Sequence, residues 1–166
     1  MRWDAGTLGA LGTGILAGVG EEILMRGTLQ RILTGFVGPL WALGIISALF
    51  GAGHVLNAGA TTLGVVAIAL EAGALLGAAY LLTGRLWLPM GIHIAWNAVQ
   101  GGVFGSTISG IDGTRGLARA SWSGPQFLTG GTMGMEGSVV TVIVGLLAGI
   151  ALLFMAHRRG RLLRAE

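Results

Sequence analysis

Apolar residues run along this chain in long blocks rather than in alternation, and short clusters of Gly, Pro, Asn and Arg separate the blocks. Read at helical length, the blocks predict helices at roughly 6–33, 38–57, 61–83, 86–105 and 137–157. Several approach the roughly 20 residues needed to cross a hydrocarbon core of about 30 Å, whereas a membrane barrel would show alternating segments. The predicted fold class is all-α: a polytopic transmembrane helical bundle of about five membrane helices. Gly35 and Pro39 punctuate the first junction, Asn57 to Gly59 the second and Thr83-Gly84 the third. Residues 106–136, rich in Gly, Ser and Thr, are expected to form a long polar loop, and no internal repeat or low-complexity tract interrupts a single domain over 1–166.

Composition agrees, with 53% hydrophobic and only 10% charged residues and a mean hydropathy of +0.79. The chain has 32 glycines, and the pairs Gly14/Gly18, Gly73/Gly77, Gly101/Gly105 and Gly145/Gly149 have the small-xxx-small spacing that lets helices approach closely in lipid. There is no Cys and no Lys, which excludes disulfides, a thiol nucleophile, thiolate metal sites, a Ser/Lys dyad and Schiff-base chemistry. The pI near 11.1 reflects arginine rather than a basic and aromatic stripe, so no nucleic-acid partner is expected.

Arginine placement orients the bundle. The tail "HRRGRLLR" puts the C-terminus on the cytoplasmic side, and Arg31 and Arg85 mark the two junctions that threading back through five spans places on that side. The long loop is then outside, with Arg115 and Arg119 as exceptions. No signal peptide is evident, and a chain starting outside leads to the expectation that further helices precede Met1.

Against this background the segment "EEILMR" is out of place. Each mid-helix Glu or Arg costs about 2.5–3.5 kcal/mol on the insertion scale, while each Leu, Ile or Val returns only about 0.3–0.6. Glu21, Glu22 and Arg26 must therefore face the bundle interior or a wet cavity. Glu22 and Arg26 stand four apart on one face and can neutralise one another, leaving Glu21, about 100° round the helix, with less compensation. The second predicted helix ends in "FGAGH", with Phe50 and His54 a turn apart, and the fourth carries "HIAWN", stacking His93 and Asn97. Either His taken singly is equally well read as an interhelical hydrogen bond.

The ordered set Glu-Glu-x-x-x-Arg (Glu21, Glu22, Arg26), Phe-x-x-x-His (Phe50, His54) and His-x-x-x-Asn (His93, Asn97) resembles the CPBP or Abi intramembrane proteases, relatives of the type II CAAX-prenyl endopeptidases. The likeness runs from about residue 14 to 105, with a weaker echo in "GMEGS" before the last helix. It implies an intramembrane endopeptidase in which Glu21 and His54 activate a water, with Glu22 beside them, and His93 and Asn97 stabilise the oxyanion. Arg26 and Phe50 lend electrostatic and structural support. Met25 stands where an aromatic is frequent in that family, a difference of packing.

No cofactor is expected, because Asn97 shares a face with His93 in an arrangement suited to an oxyanion rather than a metal, although zinc held by Glu21, His54 and His93 is the alternative: one Glu and two His make a workable set, and the family the chain resembles has been called metalloprotease on that ground. Gly-x-Ser-Gly, Gly-x-Gly-Asp and His-Glu-x-x-His are all absent. A non-catalytic immunity or scaffold relative, a proton-coupled transporter and a haem-binding subunit are the rival readings of the same Glu and His cluster. The expected partners are a peptide or membrane-protein substrate and the lipid bilayer, in a prokaryotic plasma membrane. Glu71 is expected to support a site imidazole, Glu136 and Asp112 to be solvated in the outer loop, and His157 to be interfacial.

Overall fold

The computed structural model describes residues 5–111 and 116–162. Its long elements are five continuous helices: α1 (5–37), α2 (Pro39–Ala52), α3 (Thr62–Thr83), α4 (87–103) and α5 (Val139–Arg158). Three described helical stretches, Thr7–Val37, Thr62–Thr83 and Val139–Arg158, are long and apolar enough to cross a membrane, and Pro39–Ala52 is a shorter apolar helix. The all-α membrane bundle and its five long helices are as predicted, but three of them, rather than about five, have spanning length among the described residues, and two boundaries move.

The first helix extends to Val37 because nothing stops it before Gly38, whose φ of 84° breaks the run, and Pro39 then opens α2 at its first turn. The second helix ends at Ala52, short of the predicted 57, because the chain tightens into turns there: His54 N–H donates to Gly51 and Val55 N–H to Ala52. That turn folds onto the long loop, where Gly59 N–H donates to the Gly110 carbonyl at 2.8 Å. A Cβ on Gly59 would sit 2.4 Å from the Thr132 carbonyl oxygen, so the approach requires glycine. Thr61 and Ser138 cap α3 and α5 by accepting from Gly64 N–H and Thr141 N–H.

Three of the glycine pairs seat helices. Gly14 and Gly18 on α1 meet Asn97 and Ile94 on α4; Gly73 and Gly77 on α3 meet Ser47 and Leu43 on α2; Gly145 and Gly149 on α5 meet Glu71 and Leu75 on α3. The fourth does not: Gly105 lies beyond α4 in a left-handed turn, φ 56°, against the returning loop. There Leu117, Ala118 and Ala120 donate to the carbonyls of Gly102, Val103 and Phe104, which satisfies groups that the helix end would leave open.

Helix α1 presents a buried polar stripe, Glu22, Arg26 and Gln30, to α3. Arg26 donates to the Gly73 carbonyl at 3.1 Å and Gln30 to the Gly77 carbonyl at 3.2 Å, one turn apart on both helices. Within three helices the chain widens into π-helical segments, Ile23–Gln30, Ala69–Gly73 and Ala98–Val103. They follow Glu22, contain Glu71 and follow Asn97, so each lies at a polar position of the bundle. The Arg161 guanidinium sits beside Gly84, which places the tail and the α3–α4 junction at one end.

Candidate active site

Arg26 and Glu22 are both 0% exposed and joined at 2.8 Å, as their spacing on α1 predicts. The guanidinium also lies 4.5 Å from the Phe50 ring centroid on α2, so its charge is shared among a carboxylate, a carbonyl and an aromatic face. Glu22 Oε1 receives a second donor, His93 Nδ1, at 2.9 Å. A carboxylate facing that nitrogen fixes the ring's direction and leaves Nε2 pointing toward Glu21, 4.0 Å from its Oε2. Phe50 packs edge-on to His93, with ring centroids 5.8 Å apart, and tilted against His54 at 5.1 Å.

His54 stands in the turn after α2, not on the helix itself. Its Nδ1 is 2.8 Å from the Phe50 carbonyl oxygen. A carbonyl only accepts, so Nδ1 carries a proton, and in the neutral ring Nε2 keeps a lone pair. Glu21, with 39% of its side chain exposed, is the open member of the carboxylate pair.

Glu21, His54, His93 and Asn97, with Met25 and Phe50, line one cavity of about 340 Å³ between α1, α2 and α4. Its roof is the loop, through Ile108, Ser109 and Ile111, with Asn57 of the turn after α2 beside it. Glu22 does not line it and sits behind His93. The three motifs therefore meet at one place, with Glu22 and Arg26 forming the layer that supports it.

Glu136 corrects an expectation. It is not solvated but 4% exposed, because the loop folds back into the bundle and supplies donors: Trp96 Nε1 at 3.0 Å, the Ser109 hydroxyl at 2.9 Å and the Ser109 backbone N–H. Burial pushes its carboxyl above the ordinary range, and these donors partly oppose the shift. Ser109 is the sole non-glycine residue at positive φ among those described, 49°, and its carbonyl accepts from Asn57 at 2.7 Å. One carboxylate thus ties α4, the roof and, through Ser109, the turn that carries His54. Asp112 lies outside the described residues.

The signal for Glu136 was there in the count: a chain with only seven acids that keeps one in "GMEGS" has few places to waste it. Ser109 and Trp96 carried no signal, because their roles arise from the loop's return. Glu71 is buried within α3 and lines a smaller chamber behind the cavity.

No group of three or more His, Asp or Glu among the described residues is gathered tightly enough to hold a metal ion. One nitrogen of each motif histidine is engaged, by the Phe50 carbonyl and by Glu22, which orients the rings and leaves each Nε2 to the cavity.

No curated protein and no solved structure matches the chain. A family model does, over residues 3–99, and its description is Type II CAAX prenyl endopeptidase Rce1-like. The matched region contains all three motifs, and the roof loop and α5 lie beyond it.

Proposed function

Since the chain belongs to the Rce1-like family of type II CAAX prenyl endopeptidases, and so is an intramembrane protease of the CAAX type, we propose that Glu21 and His54 carry its chemistry by activating a water. The observation that supports this most is the common cavity of Glu21, His54, His93 and Asn97.

The water lies between the Glu21 carboxylate and the free Nε2 of His54, and it loses a proton to this pair as its oxygen attacks the scissile carbonyl. The carbonyl oxygen becomes an oxyanion. Asn97 Nδ2–H and His93 Nε2–H donate to it, in the form of the ring that also donates Nδ1–H to Glu22. The stored proton then passes to the leaving nitrogen, the C–N bond breaks, and a carboxylic acid and an amine result. Glu22 and Arg26 act as positioning residues: the ion pair holds His93, and neither faces the cavity.

The test is cleavage of a fluorogenic peptide library by detergent-purified protein. Glu21→Gln is expected to lower turnover by about 100-fold or more, the usual scale of a lost general base. Asn97→Ala is expected to cost about 100-fold, the scale of one oxyanion donor. Cleavage by Glu21→Gln at the native rate would sink the mechanism. Stoichiometric zinc whose removal abolishes activity and whose return restores it would replace it with a metal-based one.

A further inference from the structure

Behind the wall of Phe50, His54, His93, Asn97 and Ser109, which also lines the large cavity, lies a chamber of about 30 Å³. Its far side is formed by Ile68, Leu75 and Leu76 together with two carboxyl groups, Glu71 and Glu136. We propose that this chamber is a water-retention site, kept wet by Glu71 and Glu136, from which the hydrolytic water passes to Glu21 and His54.

The argument starts from Glu71. It is 2% exposed, and neither of its oxygens has a hydrogen-bond partner among the described residues. A buried carboxyl left without partners loses the whole of its hydration for nothing in return. It cannot back away, since Gly145 of α5 packs so closely that a Cβ there would lie 2.7 Å from the Glu71 Cβ. Glu136 does not serve it: its oxygens accept from Trp96 and Ser109, and neither bonds to Glu71. The chamber has room for about one or two water molecules, and a water that donates to one carboxyl and accepts from its surroundings completes the set. An apolar chamber of this size would stay dry; the unpartnered carboxyl is what makes this one hold water.

The placement suits hydrolysis inside a bilayer. A store behind His54 and Asn97 lies one wall away from the cavity those residues line, which shortens the path to the scissile bond. Here the role rests on the protease reading above, while the occupancy of the chamber does not.

The two are separated by measuring them independently on the full chain. Radiolytic hydroxyl-radical footprinting reports bound water on neighbouring side chains. Ile68 and Leu76 line the chamber, Ile46 does not, and all three are 2% exposed. Ile68 and Leu76 are expected to be modified well above Ile46 in the native protein, and to fall to its level in Glu71→Leu. In the peptide assay Glu71→Leu is expected to lose about tenfold in kcat with little change in KM, and Glu71→Gln to recover most of that loss. Native labelling of Ile68 and Leu76 no higher than Ile46 would overturn the water site, whatever the activity. A labelled native chamber with native kcat in a dried Glu71→Leu form would overturn its role. Failure of the protease reading shows up separately, in Glu21→Gln, and leaves the footprint unchanged.

Discussion

Arg26 shows what a charge inside a lipid-embedded bundle requires. Its side chain is fully buried and held by the Glu22 carboxylate, the Gly73 carbonyl and the Phe50 ring. Removing one partner of such a pair leaves the other charge uncompensated, which costs about 3–5 kcal/mol. Arg26→Met is expected to lose stability on that scale, and adding Glu22→Gln should restore part of it, both read by thermal unfolding in detergent. Milder destabilisation in Arg26→Met than in the double variant would mean that the pair does not neutralise itself. Glu136 gives a pH signature. Its folded carboxyl titrates above the ordinary 4.5 because it is buried, so folding retains a proton that the unfolded chain has released. Its contribution to stability is complete below the unfolded value and is lost as pH rises through the folded one. Unfolding temperatures followed upward from about pH 4.3 should therefore fall less in Glu136→Gln than in the native protein. Identical profiles would show that the carboxyl does not titrate in that window. The pairing of Glu22 with Arg26 was legible in a four-residue spacing. The burial of Glu136 was not, since it depends on a loop whose Gly, Ser and Thr composition is equally that of a solvated segment.

At the scale of elements, glycines set the helix separations and the π-helical segments set where side chains point. A Cβ on Gly18 would meet Ile94 of α4 at 2.6 Å from Cγ1 and 2.9 Å from the backbone nitrogen, whereas around Gly20 there is nothing within 4 Å. Gly18→Ala must push α1 from α4 next to His93, and overpacking of this kind costs about 1–3 kcal/mol. It is expected to lower the unfolding temperature and peptide cleavage together, with Gly20→Ala close to native in both. Equal effects of the two substitutions would remove the close-contact argument. The five helices were legible because hydropathy over about 20 residues survives small errors of boundary. The π-helical segments were not, because a reading at 3.6 residues per turn assumes the regular geometry that Ile23–Gln30, Ala69–Gly73 and Ala98–Val103 depart from. His54 likewise came out in a turn rather than on a helix, since Gly51 and Gly53 fit either state.

For the whole molecule, the tail beside Gly84 puts Arg161 and Arg85 at one end, with the roof loop and the 54–61 turn at the other. We propose, on the positive-inside rule, that the arginine end is cytoplasmic and the roof outside. Cysteines placed at Ser123 and Leu162 are expected to react with an impermeant reagent at the former alone, and the opposite pattern would invert the orientation. What the sequence determined by itself is the membrane class, the helix order and the three motifs. Each is a local property, written either in hydropathy or in residues a helical turn apart. Only the tertiary structure decided that Glu21, His54, His93 and Asn97 share one cavity, that Glu22 stands behind it, and that Glu71 and Glu136 close a second chamber. The reason is that these are meetings of residues up to 76 positions apart in the chain. They are fixed by how closely glycines let helices approach and by where buried polar groups find partners, which spacing along one helix does not contain.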